Sequence, residues 1–245
     1  SITRLAKTLG CTNVRELKLK LAQSAAIGER FINDEFIEKQ NISHVYQSIQ
    51  DILLLNSGLI KDEIVQKASE HISAAKHCLI FGVGGGSSMM AQECQNRFFR
   101  LGIASNAHSD PMMMRMTAAT VDKNDVIVCL SLGGISPDVE SAASIAKEYG
   151  AHVVAICPEG SLAKLADYHL AMKTQESDYI FKPSAARYVM LAAIDMLSSE
   201  LAMTNQRQSR DKLRRLKMHL DHHRINSSLD SNDDNEDSRR LPLGD

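Results

Sequence analysis

The chain has 245 residues, with 44% hydrophobic and 24% charged side chains, no tryptophan and a formal net charge of −2. This balance excludes a protein that is basic throughout, so any contact with nucleic acid must be local. No apolar run approaches the roughly 20 residues that span a bilayer, and the charged start SITRLAKTLG lacks the apolar core of a signal peptide. The length suits one α/β domain with a smaller appendage. We therefore expect a cytoplasmic protein without a membrane partner.

The first 40 residues predict helices that precede the main domain. Ile2, Leu5 and Leu9 lie on one helical face, and Gly10 follows as a stop. The stretch Val14–Ala26 repeats apolar residues at helical spacing. With no initiator methionine, the sequence reads as beginning inside a domain, so we divide it into a remnant at residues 1–30 and a linker at residues 31–40.

From Asn41 the sequence predicts two helices and then a regular alternation of strands and helices. The second helix, Lys61–Lys76, follows a break at Asn56–Gly58. Short connections and a βαβ rhythm are typical of a parallel, doubly wound sheet that binds ligands at the carboxyl ends of its strands. We predict an α/β domain over residues 41–204, with five parallel strands in a three-layer, flavodoxin-like arrangement. The predicted strands are Cys78–Phe81, Ile103–Ala107, Val126–Leu130, Val153–Cys157 and Tyr168–Met172. The predicted helices are Met89–Leu101, Pro111–Thr120, Pro137–Tyr149, Leu162–Ala166 and Pro183–Met203, the last burying Tyr188, Leu191, Ile194 and Leu197.

Two glycine- and serine-rich turns follow strands of this sheet. The first runs from Gly82 to Ser88 as GVGGGSS, and the second from Ser131 to Asp138 as SLGGISPD. A strand that turns through glycines into a helix leaves backbone N–H groups free at the positive end of the helix dipole, which suits phosphate. In the second turn Ser136 suits the helix N-cap and Pro137 the first helical position. The two turns predict a site for phosphate and sugar hydroxyls, formed by Gly84, Gly85, Gly86, Ser87, Ser88, Ser131, Gly133, Gly134 and Ser136.

These two turns resemble the loops of the sugar isomerase (SIS) domain family. The family's G-x-G-x-S loop is matched by Gly82, Gly84 and Ser87, and its S-x-S-G-x-T-x-E loop by Ser131, Gly134, Ser136 and Asp138. Gly133 stands where the family usually has a second serine, so one hydroxyl contact to phosphate is missing. Asp110 falls where such domains often carry an acidic residue.

The head of the chain resembles the end of the helix-turn-helix domain of RpiR-type transcriptional regulators, which precedes a SIS effector domain. This resemblance implies that Ser1, Thr3, Arg4 and Lys7 belong to a recognition helix and its vicinity, which contacts phosphates or base edges of DNA. It implies a regulator of sugar-metabolism genes with a phosphorylated sugar as effector, DNA as partner of the full-length protein, and a homodimer or homotetramer. No cofactor or metal is expected.

Other interpretations remain open. A dinucleotide site is disfavoured because Ser87 replaces the third glycine of GxGxxG. An aldose–ketose isomerase, the alternative function, needs a base, and we interpret the candidates as surface loop residues: His108, His169, Glu140, Glu176 and Asp178. Lys182 and Arg187 suit either a phosphate contact or a solvated helix face. The methionine run Met112, Met113, Met114 and Met116 is interpreted as helix core rather than as a lid or subunit contact.

The last 41 residues, 205–245, differ from the rest. Asn205–Arg224 is basic with helical spacing, and Asn226–Asp245 is rich in serine, asparagine and aspartate, which predicts disorder. His219, His222 and His223 are interpreted as a solvated face rather than a metal site. The basic helix suits DNA, the acidic tail (Asp230, Asp233, Asp234, Glu236 and Asp237) or another subunit, and the sequence does not choose among them.

Overall fold

The structure, a computed structural model, describes residues 43–174 and 185–231, together with residues 2, 5, 13, 14, 17 and 18. The chain divides into two compact units, residues 1–50 with 176–184 and residues 51–175 with 185–245. The second unit contains the whole sheet. The predicted helices and linker of the first 40 residues lie almost entirely outside the described part. None of the described helices is long and apolar enough to cross a membrane.

Five parallel strands form one sheet in the order β2-β1-β3-β4-β5, which confirms the predicted fold class. Each is paired in parallel with its neighbours, for example with Phe81 opposite Cys129 in the β1–β3 pair. The strands are β1 Cys78–Phe81, β2 Ser105–His108, β3 Val126–Leu130, β4 His152–Cys157 and β5 Tyr168–Ala171. The helices are α1 Ser43–Asn56, α2 Asp62–Ala74, α3 Gly85–Arg100, α4 Pro111–Ala118, α5 Pro137–Glu148, α6 Ser161–Leu165, α7 Ala186–Thr204 and α8 Gln206–Ser231.

Helices cover both faces of the sheet, so the central strands are apolar on both sides. One buried cluster joins α2, α3 and α7 to strand residues such as Ile80 and Ile156. The other joins α4, α5 and α6 to strand residues such as Ile127 and Ala155. All five residues of β3 are buried, as expected for a parallel strand between two helical layers. The ends of these strands are thus held rigidly where the glycine-rich turns begin.

Two predicted helix boundaries are wrong, and two residues predicted to be buried are not. The helix after β1 starts at Gly85 instead of Met89, because the glycines and serines form its first turn. The last helix continues through Ser231, so the predicted disorder from Asn226 is wrong for residues 226–231. Tyr188 is exposed and Leu191 is only half-buried, because the buried stripe of α7 runs through other positions, including Val189, Ile194 and Leu197.

The methionine run on α4 is a further correction. Only Met114 is buried, whereas Met112, Met113 and Met116 are exposed. An eight-residue helix packed on one side of the sheet turns a single face inward, and Met114 and Ala118, four residues apart, occupy that face. The interpretation of all four methionines as core was therefore wrong.

An ion pair at the amino ends of β4 and β5 makes the stability pH-dependent. Lys147 Nζ lies 2.7 Å from Asp167 Oδ1, and the Val153 N–H donates to Asp167 Oδ2 at 2.8 Å. Partial burial by itself would raise the pKa of Asp167, but the Lys147 ammonium and the Val153 N–H outweigh it and lower the pKa below its usual 3.8.

We expect Asp167→Asn to destabilise the protein at any pH above the usual aspartate pKa of 3.8, including pH 7 and pH 5, and less at lower pH. A depressed pKa in the folded state gives stabilisation that is present above the unfolded pKa and lost as the pH falls through the folded pKa. Urea unfolding of both proteins at pH 7, 5 and 3 tests this. The two unfolding free energies should converge towards pH 3, and a difference that stays constant with pH would contradict the assignment.

Candidate functional site

The turn between β1 and α3 exposes unpaired backbone donors. Gly84 occupies the N-cap position with φ +87°, and the first intrahelical bond runs from the Ser88 N–H to the Gly84 carbonyl at 3.0 Å. The N–H groups of Gly85, Gly86 and Ser87 have no hydrogen-bond partner among the described residues. Three convergent donors at the positive end of a 16-residue helix form an anion-binding geometry.

Close packing against backbone requires the glycine at Gly82, whereas at Gly86 the crowding atom is the end of the Leu132 side chain, which can move. A Cβ on Gly82 would lie 2.4 Å from the Ser87 carbonyl oxygen, and a Cβ on Gly86 would lie 2.4 Å from Leu132 Cδ1. Gly84 and Gly85 have no neighbouring atom within 4 Å of their Cβ positions. Gly84 is favoured instead by its positive φ, and the space beside Gly85 is open to a ligand.

The turn between β3 and α5 supplies hydroxyl groups. Ser131 is buried, and its side chain makes no hydrogen bond to a described residue. Gly134 has φ +72°, which glycine adopts without strain. Ser136 lies at the N-cap and Pro137 at the first helical position, as predicted, but the Ser136 side chain makes no capping bond. The Ser136 hydroxyl is thus not used by the helix.

Glu140 holds this second turn in place, a role that the sequence did not predict. Its Oε1 accepts a hydrogen bond from the Ser136 N–H at 3.1 Å and another from Ser161 Oγ at 2.7 Å. The carboxylate therefore connects the turn after β3 to the start of α6. An S/T-x-x-E capping box places its glutamate three residues after the cap, whereas Glu140 comes four residues after Ser136, so the usual motif does not identify it.

A hydrogen bond joins the two turns directly. The Leu132 N–H donates to Ser87 Oγ at 3.2 Å, across 45 residues of sequence. β1 and β3 are neighbours in the sheet, and the chain leaves β1 towards β2 on the other side, so the turns meet at the topological switch point. The structure thus brings together two predicted groups of residues, Gly84–Ser88 and Ser131–Ser136. Two of their polar groups already have partners within the protein, since Ser87 Oγ accepts the Leu132 N–H and the Ser88 N–H donates to the Gly84 carbonyl.

The other candidates make contacts that do not include the free donors of the two turns, although the His108 carbonyl oxygen accepts the Gly82 N–H at 3.2 Å. Asp110 caps α4, since its Oδ1 accepts the Met113 N–H at 2.8 Å. His169 Nε2 lies 2.9 Å from the Cys157 carbonyl oxygen, and Arg187 lies over the Tyr188 ring at 5.9 Å. The His108 ring lies edge-on to Phe81, and partial burial lowers its pKa.

Several predicted residues cannot be placed. Glu176, Asp178 and Lys182 lie outside the described residues, as do the four head residues Ser1, Thr3, Arg4 and Lys7. Among the residues that are described, no cluster of three or more histidine, cysteine or acidic side chains has the geometry of a metal site. The four described cysteines are free and buried in the core, and desolvation raises the pKa of Cys157 to about 12.

Comparison with known proteins agrees with this fold. Residues 71–199 match the SIS domain family. The HTH-type transcriptional regulator HexR of Pseudomonas aeruginosa is 28% identical over 225 residues, which are 90% of this chain and 79% of HexR. The HTH-type transcriptional regulator RpiR of Escherichia coli K12 is 24% identical over 85% of this chain and 72% of RpiR.

Solved structures share the architecture. The sugar isomerase domain of the RpiR transcription factor from Sphaerobacter thermophilus superposes with a TM-score of 0.66 at 21% identity, covering 73% of this chain and 99% of that domain. The Vibrio vulnificus NanR protein, solved in complex with ManNAc-6P, superposes with a TM-score of 0.69 at 19% identity, covering 89% of this chain and 79% of NanR. At these identities the superpositions establish the fold.

Proposed function

Because the chain belongs to the SIS domain family, we propose that it is the effector-binding part of an RpiR-type transcriptional regulator whose signal is a phosphorylated sugar. Two kinds of protein support this proposal. Its curated relatives HexR and RpiR are named as HTH-type transcriptional regulators, and NanR, which has the same fold, was solved with a sugar phosphate. A regulator of this kind acts on DNA in the cytoplasm.

The geometry that carries the proposal is the pair of joined turns at the carboxyl edge of the sheet. The phosphate accepts hydrogen bonds from the free N–H groups of Gly85, Gly86 and Ser87, which point out of the start of α3. The hydroxyls of Ser88, Ser131 and Ser136 bond phosphate or sugar oxygens. The Ser87 hydroxyl keeps the Leu132 N–H as its donor and turns its own proton towards the ligand.

We propose binding without turnover. Isomerisation needs a general base within hydrogen-bond reach of a sugar carbon's proton. Of the described candidates, Glu140 already accepts two hydrogen bonds and His169 is bonded to a carbonyl oxygen. His108 is held against Phe81. Each of these side chains thus has a contact within the domain, which supports a structural role rather than that of a base.

The proposed domains and their functions follow one another along the sequence. Residues 1–30 belong to a DNA-binding head, residues 31–40 to a linker and residues 41–204 to the effector domain. A homodimer or homotetramer brings two DNA-binding heads together. If the effector binds one arrangement of the oligomer more tightly than another, it shifts the population towards that arrangement and so changes the spacing between the heads. Saturating effector should therefore change the DNA affinity of the full-length regulator.

A thermal-shift screen tests the effector class. Phosphorylated sugars and their unphosphorylated parents are compared, and product is assayed in the same wells. A ligand at 100 times its dissociation constant adds about 2.7 kcal/mol of stability, which the melting temperature reports clearly. We expect stabilisation by one sugar phosphate but not by its parent, with no product. Turnover would favour the isomerase, and no response to any phosphate would contradict the site.

Gly133→Ser refines the same test. The Gly133 Cβ position has no neighbouring atom within 4 Å, so the change restores the hydroxyl typical of the family without a clash. A hydrogen bond to a charged group contributes about 1.5–3 kcal/mol, so we expect the sugar phosphate to bind about tenfold or more tightly. Unchanged affinity would place the phosphate elsewhere.

A further inference from the structure

The start of α8 carries an unusual density of positive charge. Between residues 207 and 217 there is one carboxylate, Asp211, and six basic side chains, namely Arg207, Arg210, Lys212, Arg214, Arg215 and Lys217. All six basic residues are exposed. A cleft of about 490 Å³ beside the start of α8 is lined in part by Arg207, Lys212 and Arg215. None of these basic residues belongs to the proposed effector site.

Four of the six basic residues form one face, which we call the basic face. Arg207, Arg210, Arg214 and Lys217 are separated by three, four and three residues, the spacing that aligns side chains along a helix. The face extends over about 15 Å at 1.5 Å per residue. Lys217 pairs with Asp221 at 3.2 Å, but no described carboxylate lies within 4 Å of the three arginines.

The first turns of α8 are fixed to the domain. Ser209 is buried, Leu213 packs against the cluster formed by α2, α3 and α7, and the Lys212 side chain lies across Gly102. The basic face is therefore presented by a helix that is anchored along a neighbouring face. Because the backbone of the helix is already fixed, binding to this face costs little backbone freedom.

A second copy of α8 does not suit this surface. The partly apolar stripe Leu213, Leu216 and Leu220 is the only seam along which two copies of α8 could pair within the described part of the helix. Its flanking positions are occupied by Arg210, Lys212 and Lys217, and like charges across a helix pair repel. Positive charge on both sides of the seam thus favours a negatively charged partner.

The acidic cluster in the chain's own tail does not reach Arg207 and Arg210 either. This cluster, Asp233–Asp237, ends six residues beyond Ser231, so it reaches back about 20 Å at most when fully extended. Arg210 and Arg207 lie 21 and 24 residues before Ser231 along the helix, which is about 32 and 36 Å. Neither this cluster nor a described carboxylate therefore pairs with Arg207 and Arg210, and a negatively charged group on another molecule can bind them.

We infer that the basic face binds the phosphate backbone of duplex DNA, an inference that rests on the proposed function. Arginine binds phosphate bidentately and remains charged at any physiological pH. A face of about 15 Å spans roughly four base-pair steps of 3.4 Å along one strand. Such contacts carry no sequence information, and they hold the regulator on DNA.

The test compares two triple variants of equal net charge with the unmodified chain. One is Arg207→Gln, Arg210→Gln and Arg214→Gln, and the control is Lys61→Gln, Lys67→Gln and Lys164→Gln, three exposed lysines elsewhere on the domain. Fluorescence anisotropy with a 20-base-pair duplex of arbitrary sequence is measured from 25 to 200 mM salt. Each lost phosphate contact flattens the log–log salt dependence by about 0.9.

We expect the arginine variant to bind at least tenfold more weakly at 50 mM salt, with the slope reduced by about two to three, and the control to bind nearly as the unmodified chain does. Equal binding by both variants, or no binding by the unmodified chain, would overturn the inference. So would polyglutamate binding more tightly than the duplex, which would indicate an acidic protein partner.

The thermal shift with sugar phosphate, measured on the same proteins, involves no DNA. If that shift persists while DNA binding fails, only this inference is lost, and if it is absent in the unmodified chain, the proposed function is lost.

Discussion

Gly82→Ala is expected to abolish effector binding and to destabilise the protein by several kcal/mol. The new Cβ would lie 2.4 Å from the Ser87 carbonyl oxygen and 2.9 Å from its carbonyl carbon. Both are backbone atoms of the first turn of α3, so the turn itself must move. Overpacking of this kind typically costs about 1–3 kcal/mol and more where backbone shifts, and a displaced turn no longer aims its N–H groups at one point.

Gly85→Ala is the matched control, because it adds the same methyl group three residues later. Its Cβ meets no atom within 4 Å, and alanine in a helix is favoured over glycine by about 0.5–1 kcal/mol. Stability should therefore be retained or increased, while affinity for the sugar phosphate falls because the methyl group occupies the approach to the free N–H groups. Urea unfolding and isothermal titration measure the two quantities. Full affinity in the Gly85 variant would exclude phosphate from the start of α3.

Asp125→Ala is expected to cost about 2–4 kcal/mol of stability and to leave effector affinity unchanged. The carboxylate is buried and accepts hydrogen bonds from the His77 N–H at 3.1 Å and the Asp122 N–H at 2.9 Å. Each donor left without its partner costs about 1–3 kcal/mol. These contacts lie at the amino ends of β1 and β3, at the opposite edge of the sheet from the two turns.

Asp122→Ala provides the comparison for this second prediction. Asp122 is exposed, and its Oδ1 accepts only the Asn124 N–H, at 2.7 Å, within the same turn. We expect a smaller loss of stability than for Asp125→Ala. Both variants should keep the dissociation constant of the unmodified chain when titrated below their melting temperatures. A weaker effector affinity in either variant would show that the amino edge of the sheet contributes to the site.

The two edges of the sheet thus have separate roles. At the amino edge, Asp125 and Asp167 are paired with backbone N–H groups and with basic side chains. At the carboxyl edge, the Gly85 N–H and the Ser131 hydroxyl lack partners among the described residues. Substitutions at the amino edge should therefore change stability alone. Substitutions at the carboxyl edge should change effector affinity, and also stability where the backbone of the turn must move, as in Gly82→Ala.

The sequence alone was sufficient for the strands, for most helices and for the two turns. A buried parallel strand is a short apolar run, and β1 and β3 were predicted with the bounds that the structure has. Glycine clusters directly after such runs predicted turns at the carboxyl edge. These features depend on neighbours a few residues apart, which is the range over which periodicity and turn chemistry act.

Only the tertiary structure determined which of these local features contact one another and form one site. The Ser87–Leu132 hydrogen bond, the two bonds of Glu140 and the burial of Asp125 each join residues from different elements. The exposure of Met112, Met113 and Met116 followed from which face of α4 meets the sheet. Such contacts depend on how elements pack across dozens of residues of sequence, and a local pattern carries no information about which distant atom will complete a hydrogen bond or cover a face.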